Sequence, residues 1–192
     1  FTDLARNLKE AKMIMLNGDV KVNGRVRKDH QFGVGIFDVI SLPKQKAFYR
    51  VLVDAKGRII LKEMKKDSEE KLCRVEKKIV TSKGLQITTD DGITIIGTDA
   101  KVGDTLKVKF PENKVSEVIP MEVGANIYIT KGVHCSEQGK VAEIISGTAK
   151  RERLVKVEEK GKEYATTAKN VYVVGKGNVA LDELKWVLWK KY

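Results

Sequence analysis

Apolar residues recur at Leu4, Leu8, Ala11 and Met15, at spacings of four, three and four, which predicts a helix from about Asp3 to Leu16 with one apolar stripe. Thr2 can cap its start, and Asn17 with Gly18 ends it, because glycine enters the left-handed conformation at little cost. Arg6 and Lys9 then fall about 140° to 200° round the helical wheel from Leu4. From Val20 the period shortens to two. Val20, Val22 and Val26 mark a strand pair around Asn23-Gly24. A two-residue turn there would pair Val22 with Arg25 and mix apolar with basic residues on both faces. A three-residue loop would pair Val22 with Val26, leaving Lys21 and Arg27 on the other face, and is the preferred register. Gly33 and Gly35 punctuate the loop that follows, and Asp38 to Leu42 reads as a short strand before Pro43.

Beyond Lys44 the pattern is mostly β. Phe48 to Val53 and Ile59 to Met64 are apolar strand-like runs joined by a hairpin signal at Asp54 to Gly57. A short helical piece is expected near Asp67 to Cys73, starting at a Ser or Asp cap, which leaves Glu69-Glu70 on a solvated helix face. Further strands are expected at Leu85 to Thr89, Ile93 to Ile96, Thr105 to Phe110 and Val115 to Ile119, with Asp90-Asp91 sitting at a turn. After Pro120 come Asn126 to Thr130, Lys140 to Ser146, Arg153 to Glu158, Glu163 to Thr167 and Asn170 to Val174. Short strands so closely spaced predict a small barrel. In the tail from Val179 to Tyr192, Leu181, Leu184 and Leu188 keep helical spacing, so a docking helix and a loose end are both open.

Charge changes the picture at the front. The chain of 192 residues carries a formal net charge of +11, which favours polyanionic partners. Between Ala5 and Lys28 seven cations (Arg6, Lys9, Lys12, Lys21, Arg25, Arg27 and Lys28) face two acids, Glu10 and Asp19. Core packing asks for no such cluster around one tight turn, so the hairpin reads as an RNA-contacting element. Aromatic residues make up only 6% of the chain, which disfavours base stacking as the main mode.

Other chemistries find little support. No apolar run approaches the roughly 18 residues of a membrane span, and the expected location is the cytoplasm. Cys73 and Cys135 lack paired metal-ligand spacing and read as buried or incidental thiols, so neither a metal nor a cofactor is expected. The two histidines, His30 in the basic loop and His134 beside Cys135, have no catalytic partner at motif spacing. Gly175-Lys-Gly177 lacks the rest of a phosphate-binding loop. No enzyme and no small-molecule substrate are expected.

The stretch NGDVKVNGRVRKD (Asn17 to Asp29), followed by Val34, Gly35, Asp38, Val39 and Ile40, resembles the S-four-type RNA-binding domain. More closely, it is similar to the version in the archaeal and eukaryotic small-subunit ribosomal protein family S-four-e, of the archaeal type. Asp54 to Arg58, Lys71 to Val75 and Val171 to Asn178 agree in order, and Gly124 to Ile145 resembles a KOW motif with Gly139-Lys140-Val141 at its Gly-Lys-Val step. The resemblance implies a mainly β chain in three parts. These are a truncated S-four-type RNA-binding domain with a small α+β fold (1–43), a β-rich middle domain (44–119) and a C-terminal KOW SH3-like barrel (120–178), with a tail at 179–192. The family's first helix and basic arm would lie before Phe1.

Function follows from the same resemblance: a structural constituent of the small ribosomal subunit, bound to small-subunit ribosomal RNA and neighbouring ribosomal proteins, in the cytoplasm and taking part in translation. The RNA-binding residues expected are Arg6, Lys9, Lys12, Lys21, Asn23, Arg25, Arg27 and Lys28. Lys131, Gly139 and Lys140 of the KOW segment are weaker candidates, with Lys150, Arg151 and Arg153, because glutamates interleave with them. Binding would rest on phosphate neutralisation and RNA shape. Two rival readings are a KOW-containing transcription-elongation factor and an RNA-modifying enzyme of the pseudouridine synthase type, the latter needing a catalytic block with a motif-borne Asp.

Overall fold

The computed structural model describes residues 5–82, 84–148, 151–159, 161–176 and 180–181. Among them, one helix, α1 (Leu8–Leu16), precedes strands that form three sheets. The first contains β1 (Lys21–Val22), β2 (Arg25–Val26), β3 (Val39–Leu42), β4 (Ala47–Val53) and β5 (Ile59–Met64), in the order β2-β1-β3-β4-β5. The second contains β6 (Glu70–Thr81), β7 (Gly84–Thr89), β8 (Thr94–Ile96), β9 (Thr105–Lys109) and β10 (Lys114–Ile119), in the order β10-β9-β6-β7-β8. The third contains β11 (Asn126–Ile129), β12 (Gln138–Ile145), β13 (Leu154–Glu159), β14 (Lys162–Thr167) and β15 (Val171–Gly175), in the order β14-β13-β12-β11-β15. The chain is mainly β with a small helical element in front.

The third sheet must curl. Its edge strands β14 and β15 lie four steps apart in the order, about 19 Å if the sheet were flat. Only the 3-10 turn Ala168–Asn170 joins them, and the chain from Thr167 to Val171 reaches at most about 14 Å. The inward-facing Ile127, Ile129, Val155, Val157, Val171 and Val173 are all fully buried. They belong to a core shared with the first two sheets, into which Phe37 is wedged 5.8 Å from Tyr128 and 5.1 Å from Tyr172, ring centre to ring centre.

Two expected elements differ. The helix begins at Leu8, because Asn7 caps it by accepting the Glu10 N–H at 2.9 Å, while the Glu10 carboxylate accepts the Arg6 N–H at 2.8 Å. Arg6 therefore precedes the helix, and the expected cap Thr2 and first stripe residue Leu4 lie outside the described residues. No residue of α1 is buried.

The helical piece expected at Asp67 to Cys73 is instead the start of β6, whose residues Glu70 to Arg74 pair with Lys109 to Thr105 of β9. The polar side chains taken for a cap are engaged elsewhere. Asp67 accepts from Ser41 Oγ at 2.7 Å, and Ser68 Oγ accepts from the buried guanidinium of Arg50 at 2.8 Å. Tertiary pairing overrides a local cap signal. Glu70 sits on this strand against Lys107 Nζ at 2.8 Å, not on a solvated helix. The tail from 182 onward lies outside the described residues, so the docking-helix reading does too; Leu181 is buried on the shared core.

Candidate nucleic-acid interface

The hairpin β1–β2 closes on a two-residue turn. Val22 pairs with Arg25 and Lys21 with Val26, so the preferred three-residue register is wrong. Asn23 and Gly24 both take positive φ, 49° and 74°, the turn geometry whose twist matches that of paired strands. Val22 is buried, but Val26 crosses to the other face and stays 46% exposed, beside Gly18, where an added Cβ would lie 3.4 Å from Val26 Cγ1. Apolar burial on a single face is the reason to expect the other register; the turn at Asn23 and Gly24 prevails over it and leaves Val26 largely in solvent.

A polar frame fixes the turn. Asn23 Nδ2 donates to Asp38 Oδ1 at 2.8 Å, and Asn23 Oδ1 accepts the Val39 N–H at 2.9 Å. Asp38 also accepts the Gly35 N–H at 2.8 Å and the Lys71 ammonium at 3.1 Å. Lys71, almost fully buried on β6, reaches Asp91 Oδ2 at 2.5 Å on its other side. Burial opposes the charge on Lys71, but the carboxylates of Asp38 and Asp91 on either side outweigh it and hold the ammonium above its ordinary range. Burial pushes Asp91 up as well, yet the hydrogen bonds from Lys71 and Thr89 keep its carboxyl below the usual value. Burial lifts the Cys73 thiol well above its ordinary value, with Asp91 adding to the effect. The Asp90-Asp91 pair is therefore more than a turn. The second sheet braces the hairpin from outside too, with Pro111 O accepting from Arg25 Nη2 at 2.7 Å and an added Gly24 Cβ 3.3 Å from Phe110.

Around this frame the cations have no acidic partner among the described residues. Among the described residues, none of Arg6, Lys9, Lys12, Lys21, Arg25, Arg27 and Lys28 lies within ion-pair distance of a carboxylate. The two acids of the segment are committed elsewhere, Glu10 to the Arg6 backbone N–H and Asp19 to Lys44 at 2.6 Å. Lysines further along do pair: Lys78 with Asp99 at 2.6 Å, Lys114 with Glu112 at 2.8 Å and Lys176 with Glu122 at 2.9 Å. Arg6, Lys9, Arg25 and Lys28 are exposed, and Lys12, Lys21 and Arg27 are half-buried. Asn23 is different: its amide holds the turn. His30 lies exposed in the same loop.

The barrel candidates are not brought together. Lys140 pairs with Asn126 at the start of β11, whereas Lys131 lies past its end, about 16 Å along the strand direction. Both are exposed. Gly139 holds a close crossing, since an added Cβ would lie 2.5 Å from Val157 Cγ1 and 2.8 Å from Glu158 O. Lys150 lies outside the described residues. Arg151 and Arg153 line a groove of about 570 Å³ between the second and third sheets, joined there by Arg74 and Lys169, which charge counting in the barrel segment alone passes over. Several of these cations are committed: Lys169 to Glu152 at 2.5 Å, Arg153 to Val102 O at 3.3 Å and Arg74 to Lys169 O. His134 stacks on Tyr164 at 3.7 Å and meets Glu137 at 2.8 Å, and the buried Cys135 donates to Thr130 O at 3.1 Å.

A family model described as "Ribosomal family S4e" matches residues 45–115. The small ribosomal subunit protein eS4 of Methanosphaera stadtmanae is 43% identical over 90% of this chain and 73% of its own length. The Archaeoglobus fulgidus protein of that name is 37% identical, over 92% of this chain and 75% of its own. The Caenorhabditis elegans one is 33% identical, over 94% of this chain and 71% of its own. The crystal structure of the 30S ribosomal protein S4e from Thermoplasma acidophilum superposes with a TM-score of 0.77 at 34% identity, covering 88% of this chain and 86% of that one.

Proposed function

The chain belongs to the S4e family of ribosomal proteins, and on that premise we propose that it is a structural constituent of the small ribosomal subunit that binds small-subunit ribosomal RNA and serves translation at the ribosome. It acts by binding and not by catalysis; S4e is a family of ribosomal proteins, not of enzymes. The observation that carries the RNA-binding reading is the cation cluster whose local acids are already committed. Arg6, Lys9, Lys12, Lys21, Arg25, Arg27 and Lys28 displace condensed counterions from phosphates, and the guanidinium groups fork onto phosphate oxygens. Asn23 serves that surface as its frame. Lys131 and Lys140 make separate, weaker contacts with RNA or a neighbouring ribosomal protein, and Gly139 keeps the barrel closed beneath them. The three-part division at 1–43, 44–119 and 120–178, with an S-four-type front, a middle β domain, a KOW barrel and the tail 179–192, is proposed with it. It has the support of the curled third sheet; the first sheet runs across position 43 and ties the front module to the middle one.

The test is a salt titration of binding to small-subunit ribosomal RNA. With about six phosphate contacts, affinity falls on the order of a thousandfold between 50 and 200 mM salt. Replacing Arg25, Arg27 and Lys28 by Ala flattens that slope; an unchanged slope overturns the assignment. Cosedimentation with RNA polymerase in place of small subunits would favour the elongation-factor reading, and uridine isomerisation would favour the modifying enzyme.

A further inference from the structure

Within the basic hairpin region stands an aromatic ring that the phosphate reading does not use. Phe32 is 37% exposed in the loop after β2, and the guanidinium carbon of Arg27 lies 4.0 Å from its ring centre. Arg27 Nε is buried and has no hydrogen-bond partner among the described residues. Beside the stack opens a cleft of about 280 Å³ lined by Val22, Arg25, Arg27, Phe32, Gly33 and Asn113, among others. Its two lining carboxylates are already engaged, Asp38 by Asn23, Gly35 and Lys71, and Asp91 by Lys71 and Thr89. Arg27 Nε adds to this lining a donor with no partner among the described residues. At Gly33, which also lines the cleft, an added Cβ would meet nothing within 4 Å.

We propose that the Arg27–Phe32 stack and this cleft seat one unstacked nucleobase of the bound RNA. The inference rests on the RNA-binding reading above and adds to it the class of nucleotide recognised. A paired A-form stem offers this site no π-face, whereas a bulged or looped-out nucleotide does. An aromatic ring and a guanidinium plane are both surfaces on which any base stacks, and a cleft just under the usual range of small-molecule pockets suits a group the size of one base. Lys28, the next residue after Arg27, and Arg25, two before it, take the flanking phosphates. Stacking at one platform is consistent with a chain poor in aromatic residues, since bulk affinity still comes from charge.

The experiment compares two RNAs, a fully paired stem and the same stem with one bulged 2-aminopurine, by anisotropy and by 2-aminopurine fluorescence. The intact chain is expected to prefer the bulged stem on the order of tenfold and to shift the 2-aminopurine signal. Phe32→Tyr keeps both effects. Phe32→Leu abolishes the preference while leaving paired-stem affinity and salt slope unchanged. Equal affinity for the two RNAs, or a preference that survives in Phe32→Leu, overturns the base seat. An absent salt slope on both RNAs overturns the phosphate reading instead, so the two failures are distinct. If Phe32→Leu melts early, the wild-type fluorescence decides: no change on binding overturns the proposal.

Discussion

The Lys71 ammonium lies 3.1 Å from Asp38 Oδ1, and this buried pair ties the sheet carrying the hairpin to the sheet behind it. Asp38 in turn holds Asn23, so the position of the basic turn depends on a lysine about fifty residues later. Two carboxylates and one ammonium share that interior, an arrangement in which removing the central charge is costly. Lys71→Met should lower stability by about 3 to 5 kcal/mol, measured by urea unfolding at pH 7. A loss below about 1 kcal/mol would show that the network is incidental.

The same network sets an acid limb. Asp91 is held below its ordinary value, so its contribution is present above the unfolded carboxyl value and is lost as pH falls through the lower folded one. Lys71 is held above its ordinary range, so its share is complete below the unfolded lysine value and fades only as pH climbs past the raised one. Unfolding midpoints of the native chain should therefore stay level from pH 7 to about 5 and drop below about 4. In Lys71→Met the carboxylates are left facing each other, and protonation relieves them. The gap between variant and native chain should narrow as pH falls, and a constant gap would refute the mechanism.

Gly139 offers a steric prediction free of charge effects. Its φ is not in the left-handed range, but Val157 Cγ1 and the Glu158 carbonyl occupy the space a methyl group needs. One of these atoms is backbone of β13 and cannot swing away. Gly139→Ala should cost about 1 to 3 kcal/mol in thermal or urea unfolding while leaving the salt slope of RNA binding as it was. A slope that changes with it would make Gly139 part of the RNA surface.

Strand positions were largely legible because alternation and turn residues act locally; β4 and β5 around Asp54 to Gly57 are an example. β6 was not. After the half-buried Glu70, Lys71, Leu72 and Cys73 are buried in succession, so a polar lysine sits where alternation calls for an apolar residue or a solvated one, and the distant Asp38 and Asp91 make that burial tolerable. The charge of the hairpin could be read directly, whereas its register could not, because the turn at Asn23 and Gly24 leaves Val26 exposed against the apolar alternation. Phe32 is not legible for a related reason: a ring in a glycine-rich loop carries no periodic signal, and only its meeting with Arg27 gives it meaning.

Arginine and lysine in the cluster should separate. Arg25 donates to Pro111 O at 2.7 Å and so has a structural task that the exposed Lys28 lacks. Lys28→Ala should reduce the salt slope by about one with an unchanged melting temperature. Arg25→Ala should lose the same slope and also about 0.5 to 1.5 kcal/mol of stability. Identical melting temperatures for the two variants would mean that the Pro111 contact contributes nothing in solution.

The turn itself supplies the last test. Asn23 contributes in two separable ways, by tolerating φ of 49° and by spending its amide on Asp38 and Val39. Asn23→Gly keeps the backbone freedom and loses the two side-chain bonds, so it should cost about 1 to 3 kcal/mol. Asn23→Ala loses the bonds and also forces a Cβ into the left-handed region, adding about 1 to 2 kcal/mol. The ordering, alanine worse than glycine, follows only from a two-residue turn with positive φ at its first position. In the three-residue register, with no such requirement at residue 23, the two variants should unfold together. Because Asp38 would lose a donor in either case, both variants should also move the neighbouring cations, weakening RNA binding more than the loss of one uncharged side chain alone explains.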